Sequence, residues 1–269
     1  MRGTDDSRQP PLASAWRVVL AQELRDLWLG GRGPALSFAF GVLMSVIAYL
    51  TATNNALNFL EHREAVNLTL QVAIAIGTLL ALLAAADAIS GERERGSLET
   101  LLLTPVSRLA LTAGKLLAAL TLWLGAFLIT IPYLWFLGRG AGVLGHAVLA
   151  GLVVGTLLAV FLASLGIAFS IVIGSNRTSL SASLLVLLAL FAPTQLPSNA
   201  QKGWAGELLL QVNPVTAGEN YVGKVVVDGH ALRDDLSWLI SPLLGAVVFA
   251  AGAGVLAVRF LRLRGRWSA

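Results

Sequence analysis

Six stretches of the chain are apolar for long enough to cross a bilayer, at roughly 34–52, 67–90, 109–136, 146–173, 178–193 and 238–259. A helical crossing takes about 20 apolar residues, so the pattern predicts an all-α, polytopic membrane fold of six transmembrane helices. The fifth stretch is short for a full crossing, and this part of the chain could dip back into the membrane where protein shields it. Ahead of the first span, Ser14 to Leu29 places Trp16, Val19, Leu20, Leu24 and Leu27 on one face at helical spacing. Two readings fit that face: a helix lying in the membrane interface, or one packed on the protein itself. Gly30, Gly31 and Gly33 interrupt it, and Pro34 suits the first turn of the next helix. The expected organisation is a cytoplasmic N-terminus with its amphipathic helix (1–33), a six-helix domain (34–259) and a basic cytoplasmic tail (260–269). Met1 to Pro11 lacks the apolar core of a signal peptide.

Two connecting segments break the apolar pattern. The first, 91–108, packs Glu92, Arg93, Glu94, Arg95 and Glu99 close together. At about 2.5–3.5 kcal/mol per charge, five charges at the bilayer centre would cost on the order of 12–17 kcal/mol. The segment must therefore meet water or a partner. Within it, Ser97 can cap a short helix whose first turn carries Glu99, with Leu98, Leu101 and Leu102 on an apolar face and Thr104-Pro105 as the stop. A rigid peg able to take force from a soluble partner and a solvated interhelical loop both fit those letters. The second segment, 194–237, is the longest between spans; Trp204–Val212 reads as a short amphipathic helix halted by Asn213-Pro214.

Composition agrees with the pattern: of 269 residues, 56% are hydrophobic and only 13% charged, too little polar surface for a water-soluble globule. With no cysteine, disulfides, thiolate nucleophiles and cysteine-held metals are excluded. A net charge of +4 does not point to nucleic acid here, because the placement of the charges matters more than their sum. On the side shared by the two termini fall fourteen of the nineteen Lys and Arg residues; the other side holds Arg63, Arg139, Lys202, Lys224 and Arg233. The positive-inside rule then places both termini in the cytoplasm.

Asp87 is the lone carboxylate within a predicted span, open to a role as a proton or cation relay or to structural pairing with Arg93, Arg95 or Lys115. Gly151, Gly155, Ala159 and Ala163 recur every fourth residue, which lets helix backbones approach closely, within one subunit or between two. His62, His146 and His230 are scattered, so no metal site is expected. No Gly-x-Ser-x-Gly elbow or intramembrane aspartate pair is present, which argues against a membrane hydrolase. Tyr133, Trp135 and Phe136 read as an interfacial aromatic belt.

The run Glu92, Arg93, Glu94, Gly96, Leu98, Glu99, Leu101, Leu102, Thr104, Pro105, Val106, Ser107, Arg108, followed by Gly114 and Lys115, resembles the signature of permease subunits of the ABC-2 type exporter family. Ser97 departs from the usual Thr but keeps a hydroxyl. The resemblance implies that residues 91–108 are a coupling helix seated in a separate ATPase, and that the leading amphipathic helix is a connecting helix beside it. It further implies two ABC ATPase subunits, a second copy or paralogue of the permease, and ATP and Mg held by the ATPases with no cofactor in this chain. Gly114-Lys115 is no P-loop, since Leu116 stands where a hydroxyl should hold magnesium and Leu109 where the first glycine should be. The expected setting is a prokaryotic cytoplasmic membrane, in contact with lipids. The expected role is export, with ATP-driven work on an extracytoplasmic accessory protein as the alternative.

Overall fold

A computed structural model of the chain describes residues 15–53, 62–99, 103, 106–139, 142–195 and 203–261. Among these the fold is all-α: α1 (Ala15–Leu24, extended by a π turn, Arg25–Leu29), α2 (Arg32–Thr53), α3 (His62–Asp87), α4 (Ser90–Glu94), α5 (Arg108–Leu137), α6 (Leu144–Val172), α7 (Asn176–Phe191), α8 (Trp204–Val212), α9 (Pro214–Val226) and α10 (Ile240–Phe260). Six of these, with short flanking turns at α3, α7 and α10, are long and apolar enough to cross a membrane. They coincide with the expected spans to within a turn or so. The largest offset is at α3, whose first turn, His62–Ala65, is polar and so escapes a hydropathy reading. Glu64 in that turn suits the positive end of the helix dipole. The expected residues 1–14, Leu101, Leu102, Thr104, Pro105 and 262–269 lie outside the described residues.

The bundle is built around α6, which packs against α3, α5, α7, α9 and α10. Its small residues explain how. Gly151 faces Leu70 and Phe127, Gly155 receives the indole of Trp123, and Ala159 and Ala163 are fully buried. Trp123 is wedged between Gly77 of α3 and Gly155 of α6, with its Nε1 donating to Thr156 Oγ1 at 3.2 Å. In lipid, where burial from water contributes nothing between helices, this close dispersion contact is what holds the helices together. The small-residue stripe thus packs within one chain.

The leading helix packs on the protein. Val19 is buried against Gly114 of α5, and Trp28 Nε1 donates to Thr121 Oγ1 at 3.0 Å. Of the aromatic trio, Trp135 and Phe136 are exposed with the Arg139 guanidinium 3.9 Å from the Trp135 ring centroid. Tyr133 instead turns to α2, its hydroxyl donating to the Gly41 carbonyl at 3.1 Å.

The segment 194–237 departs most from its expectation. Asn213-Pro214 does end α8, but the same two residues start another helix. Asn213 Oδ1 accepts from the Val215 N–H at 2.9 Å and Pro214 occupies the first turn, where its missing N–H is no loss. The new helix, α9, buries Val215, Ala217, Tyr221, Val222, Val225 and Val226 in the bundle. Its Gly218, Asn220 and Gly223 dilute the apolar periodicity, which is why the sequence reads as loop there.

Candidate functional site

The charged segment lies where α3 stops. At Asp87 the helix breaks, and the freed N–H groups of Ile89 and Ser90 are both taken by Ser170 Oγ of α6, at 2.9 and 2.8 Å. The chain then makes the single turn α4 and reverses at Gly96, whose φ of +73° only glycine adopts without strain. Ser97 N–H donates to the Glu92 carbonyl at 3.0 Å and Gly96 N–H to that of Arg93 at 3.2 Å. That pair of bonds is a Schellman closure, so Gly96 has a stereochemical reason to be there.

Most of the charges on this turn point into the bundle. Arg93 donates to the carbonyls of Ile173 and Ile171 at 2.9 and 3.1 Å, at the C-terminal end of α6. Glu94 accepts from the Asn176 N–H at 2.7 Å, at the N-terminal end of α7. Two neighbouring residues of opposite sign therefore complement two neighbouring helix ends of opposite partial charge, an interaction worth about 0.3–1 kcal/mol each, more when part-buried. Glu92 pairs at 2.6 Å with Lys115, which also bonds Glu23 of α1 at 2.6 Å. Lys115 is 1% exposed, and a cation so deep is tolerable only when paired.

Asp87 is paired within the protein. It accepts from Arg32 at 2.9 Å and Asn176 Nδ2 at 2.7 Å, with Arg95 at 3.9 Å. Of the three partners anticipated for it, only Arg95 is near; Arg93 and Lys115 are committed elsewhere. Gly91 fits beneath this carboxylate, which a Cβ there would strike. The outward side of the segment carries Glu94, Arg95, Gly96, Ser97 and Glu99, all exposed, and Leu103 is 73% exposed. Leu98 does not share that side, being buried with the main core. The Ser97 hydroxyl donates back to the Glu92 carbonyl at 3.3 Å. Leu103 N–H bonds the Glu99 carbonyl at 3.1 Å.

A cavity of about 750 Å³ opens beside this junction. Glu23, Asp26, Arg32, Asp87, Glu92, Arg95 and Lys115 line its polar floor, while Leu36, Leu83, Leu180 and Leu184 form an apolar wall. Sequence reasoning did not assign Glu23, Arg32, Ser170 or Asn176 to the junction, because each reaches it across many intervening residues. A lone Lys115 in an apolar helix was the available signal. Gly151, Gly155, Ala159 and Ala163 belong to the core, apart from this junction.

A family model described as ABC-2 family transporter protein matches residues 19–262, from α1 to the end of α10. No curated protein matches the chain.

Proposed function

Since this chain belongs to the ABC-2 transporter family, we propose that it is the permease subunit of an ATP-driven exporter, moved by force applied to residues 91–108. The family's permeases work with ABC ATPase partners; in this reading two such subunits hold the ATP and Mg, and this permease acts with a second copy or a paralogue. Its setting is a prokaryotic cytoplasmic membrane with both termini inside.

The observation that carries the proposal is the buried Lys115 bridge. Because Lys115 of α5 holds Glu92 and Glu23 together, a push on α4 reaches α1 and α5 directly, while Arg93 and Glu94 pass it to α6 and α7. A solvated loop has no need of such ties. The exposed Glu99 and Leu103 are then the surface left for the ATPase. Work on an extracytoplasmic partner draws less support, since the larger helix of 194–237 is spent inside the bundle.

Glu99→Lys and Leu103→Asp test this directly, for neither residue holds the fold. Expected is normal membrane assembly with loss of ATPase co-purification, or of transport-linked ATP hydrolysis. Wild-type association and turnover in both variants would refute the coupling role.

A further inference from the structure

At the end of the bundle remote from Lys115, a second cleft of about 460 Å³ lies between α9, α3, α8 and the 3-10 turn Ala192–Gln195. Gln71, Thr194, Thr216, Glu219, Asn220, Lys224 and Asp228 supply its polar lining, and Leu210, Gly223 and Val227 complete it. A polar cleft against a greasy core needs partners for its donors and acceptors. Several have them: Thr216 donates to the Leu210 carbonyl at 2.8 Å, and Lys224 is bound to Asp235 at 2.7 Å. Glu219 has neither a salt bridge nor a side-chain hydrogen bond among the described residues, and Gln71 is equally unengaged.

We propose that this cleft is a binding site for the ammonium end of a small polar amine, with Glu219 as its counter-ion and Gln71 and Asn220 as neutral acceptors. Lys224 does not fill that role, being held by Asp235 and lying 5.2 Å from the centroid of Trp238. Asn220 Nδ2 donates one of its two N–H groups to the Thr216 carbonyl at 2.9 Å, and its Oδ1 remains to accept. With three oxygen acceptors and no free cation among the described residues lining the cleft, the set favours a donor carrying positive charge over an anion. Burial without a partner pushes the Glu219 carboxyl up to about 7, the behaviour of a group whose counter-charge is absent. An arriving ammonium would restore its ionised form.

The chain has no cysteine, so a single reporter thiol is free of background. Gly223 lines the cleft, and a Cβ there meets nothing within 4 Å. The full-length Gly223→Cys protein in phosphatidylcholine nanodiscs would be labelled with a neutral thiol reagent at pH 8, with ethanolamine, glycerol or acetate as competitor. Ethanolamine at millimolar concentration is expected to slow labelling several-fold, glycerol and acetate to leave it unchanged. Adding Glu219→Gln, which keeps shape and removes charge, should raise the ethanolamine concentration needed for half-protection about tenfold while the unprotected labelling rate holds. No protection by ethanolamine, equal protection with and without Glu219→Gln, or protection by glycerol as strong as by ethanolamine would each overturn the assignment. The assay contains no ATPase, so its failure leaves the coupling proposal standing.

Discussion

A methyl group at Gly166 would sit 2.7 Å from the Leu82 carbonyl oxygen and 3.1 Å from the Ala86 nitrogen, both backbone atoms of α3. Backbone cannot rotate aside as a side chain can. Gly166→Ala is therefore expected to force α3 and α6 apart and lower stability by about 1–3 kcal/mol. Gly252 of α10 supplies the control, as a Cβ there meets nothing within 4 Å. Gly252→Ala should be neutral or stabilising by up to about 1 kcal/mol through helix propensity. Thermal unfolding of both variants in one detergent checks the contrast in sign. The four-residue spacing from Gly151 to Ala163 made close packing legible in the sequence. What it could not reveal was the occupant of each gap, since nothing near Gly155 in sequence points to Trp123 of another helix.

Helices were legible where hydropathy is a local property. The six spans follow from runs of apolar letters, and α1 from a stripe of five residues. Helix α9 was hidden because its burial is a tertiary fact: Gly218 lies against Val154 and Leu158 of α6, a contact no local pattern encodes. The junction at α4 was half legible. Its letters announced a special segment, while the direction of its charges depended on where α6 ends and α7 begins. That geometry decides what a charge reversal at Glu94 would do. Glu94→Lys would set a cation against the N-terminus of α7, so it should loosen α7. The firmer test at this scale is Lys115→Met, which leaves Glu23 and Glu92 facing each other without their cation. Losing one partner of a buried pair costs about 3–5 kcal/mol. Release of α1 from α5 should follow, read as faster tryptic cleavage at Arg25 and Arg32. Unchanged cleavage would mean that Val19 and Trp28 hold α1 unaided.

Across the whole molecule the two ends of α3 differ in how their charges are satisfied. At one end Asp87, Arg32, Arg95, Glu92, Lys115 and Glu23 are mutually paired. At the other, Asp235 is held below the usual carboxylate range by its hydrogen bonds to Lys224 and His230, whereas Glu219 is raised to about 7 by burial alone. Of the remaining ionisable groups lining its cleft, Lys224 lies on its own helix and Asp228 just beyond that helix's C-terminal end; α3, α8 and the 3-10 turn bring Gln71, Leu210 and Thr194 to the lining, and Arg63 of α3 reaches the Val227 carbonyl at 3.4 Å. The consequence for stability has a definite sign. Between about 4.5, the ordinary glutamate value, and about 7, the folded protein holds a proton that the unfolded chain has lost. Stability therefore falls as pH rises through that window and levels off above it. The depressed Asp235 acts in the opposite sense, but below its ordinary value of 3.8, outside the window. Subtracting the Glu219→Gln profile from the wild-type one removes every other titration the two share. The difference in Tm between pH 5 and pH 8 should be larger in wild type, with Glu219→Gln the more stable protein at pH 8. Parallel profiles would mean that Glu219 finds a counter-charge in the folded protein. Saturating ethanolamine should flatten the wild-type profile toward the variant's, because an ammonium partner makes the ionised carboxyl welcome at high pH. The same carboxyl thus ties pH dependence to ligand occupancy at the end of the bundle farthest from residues 91–108.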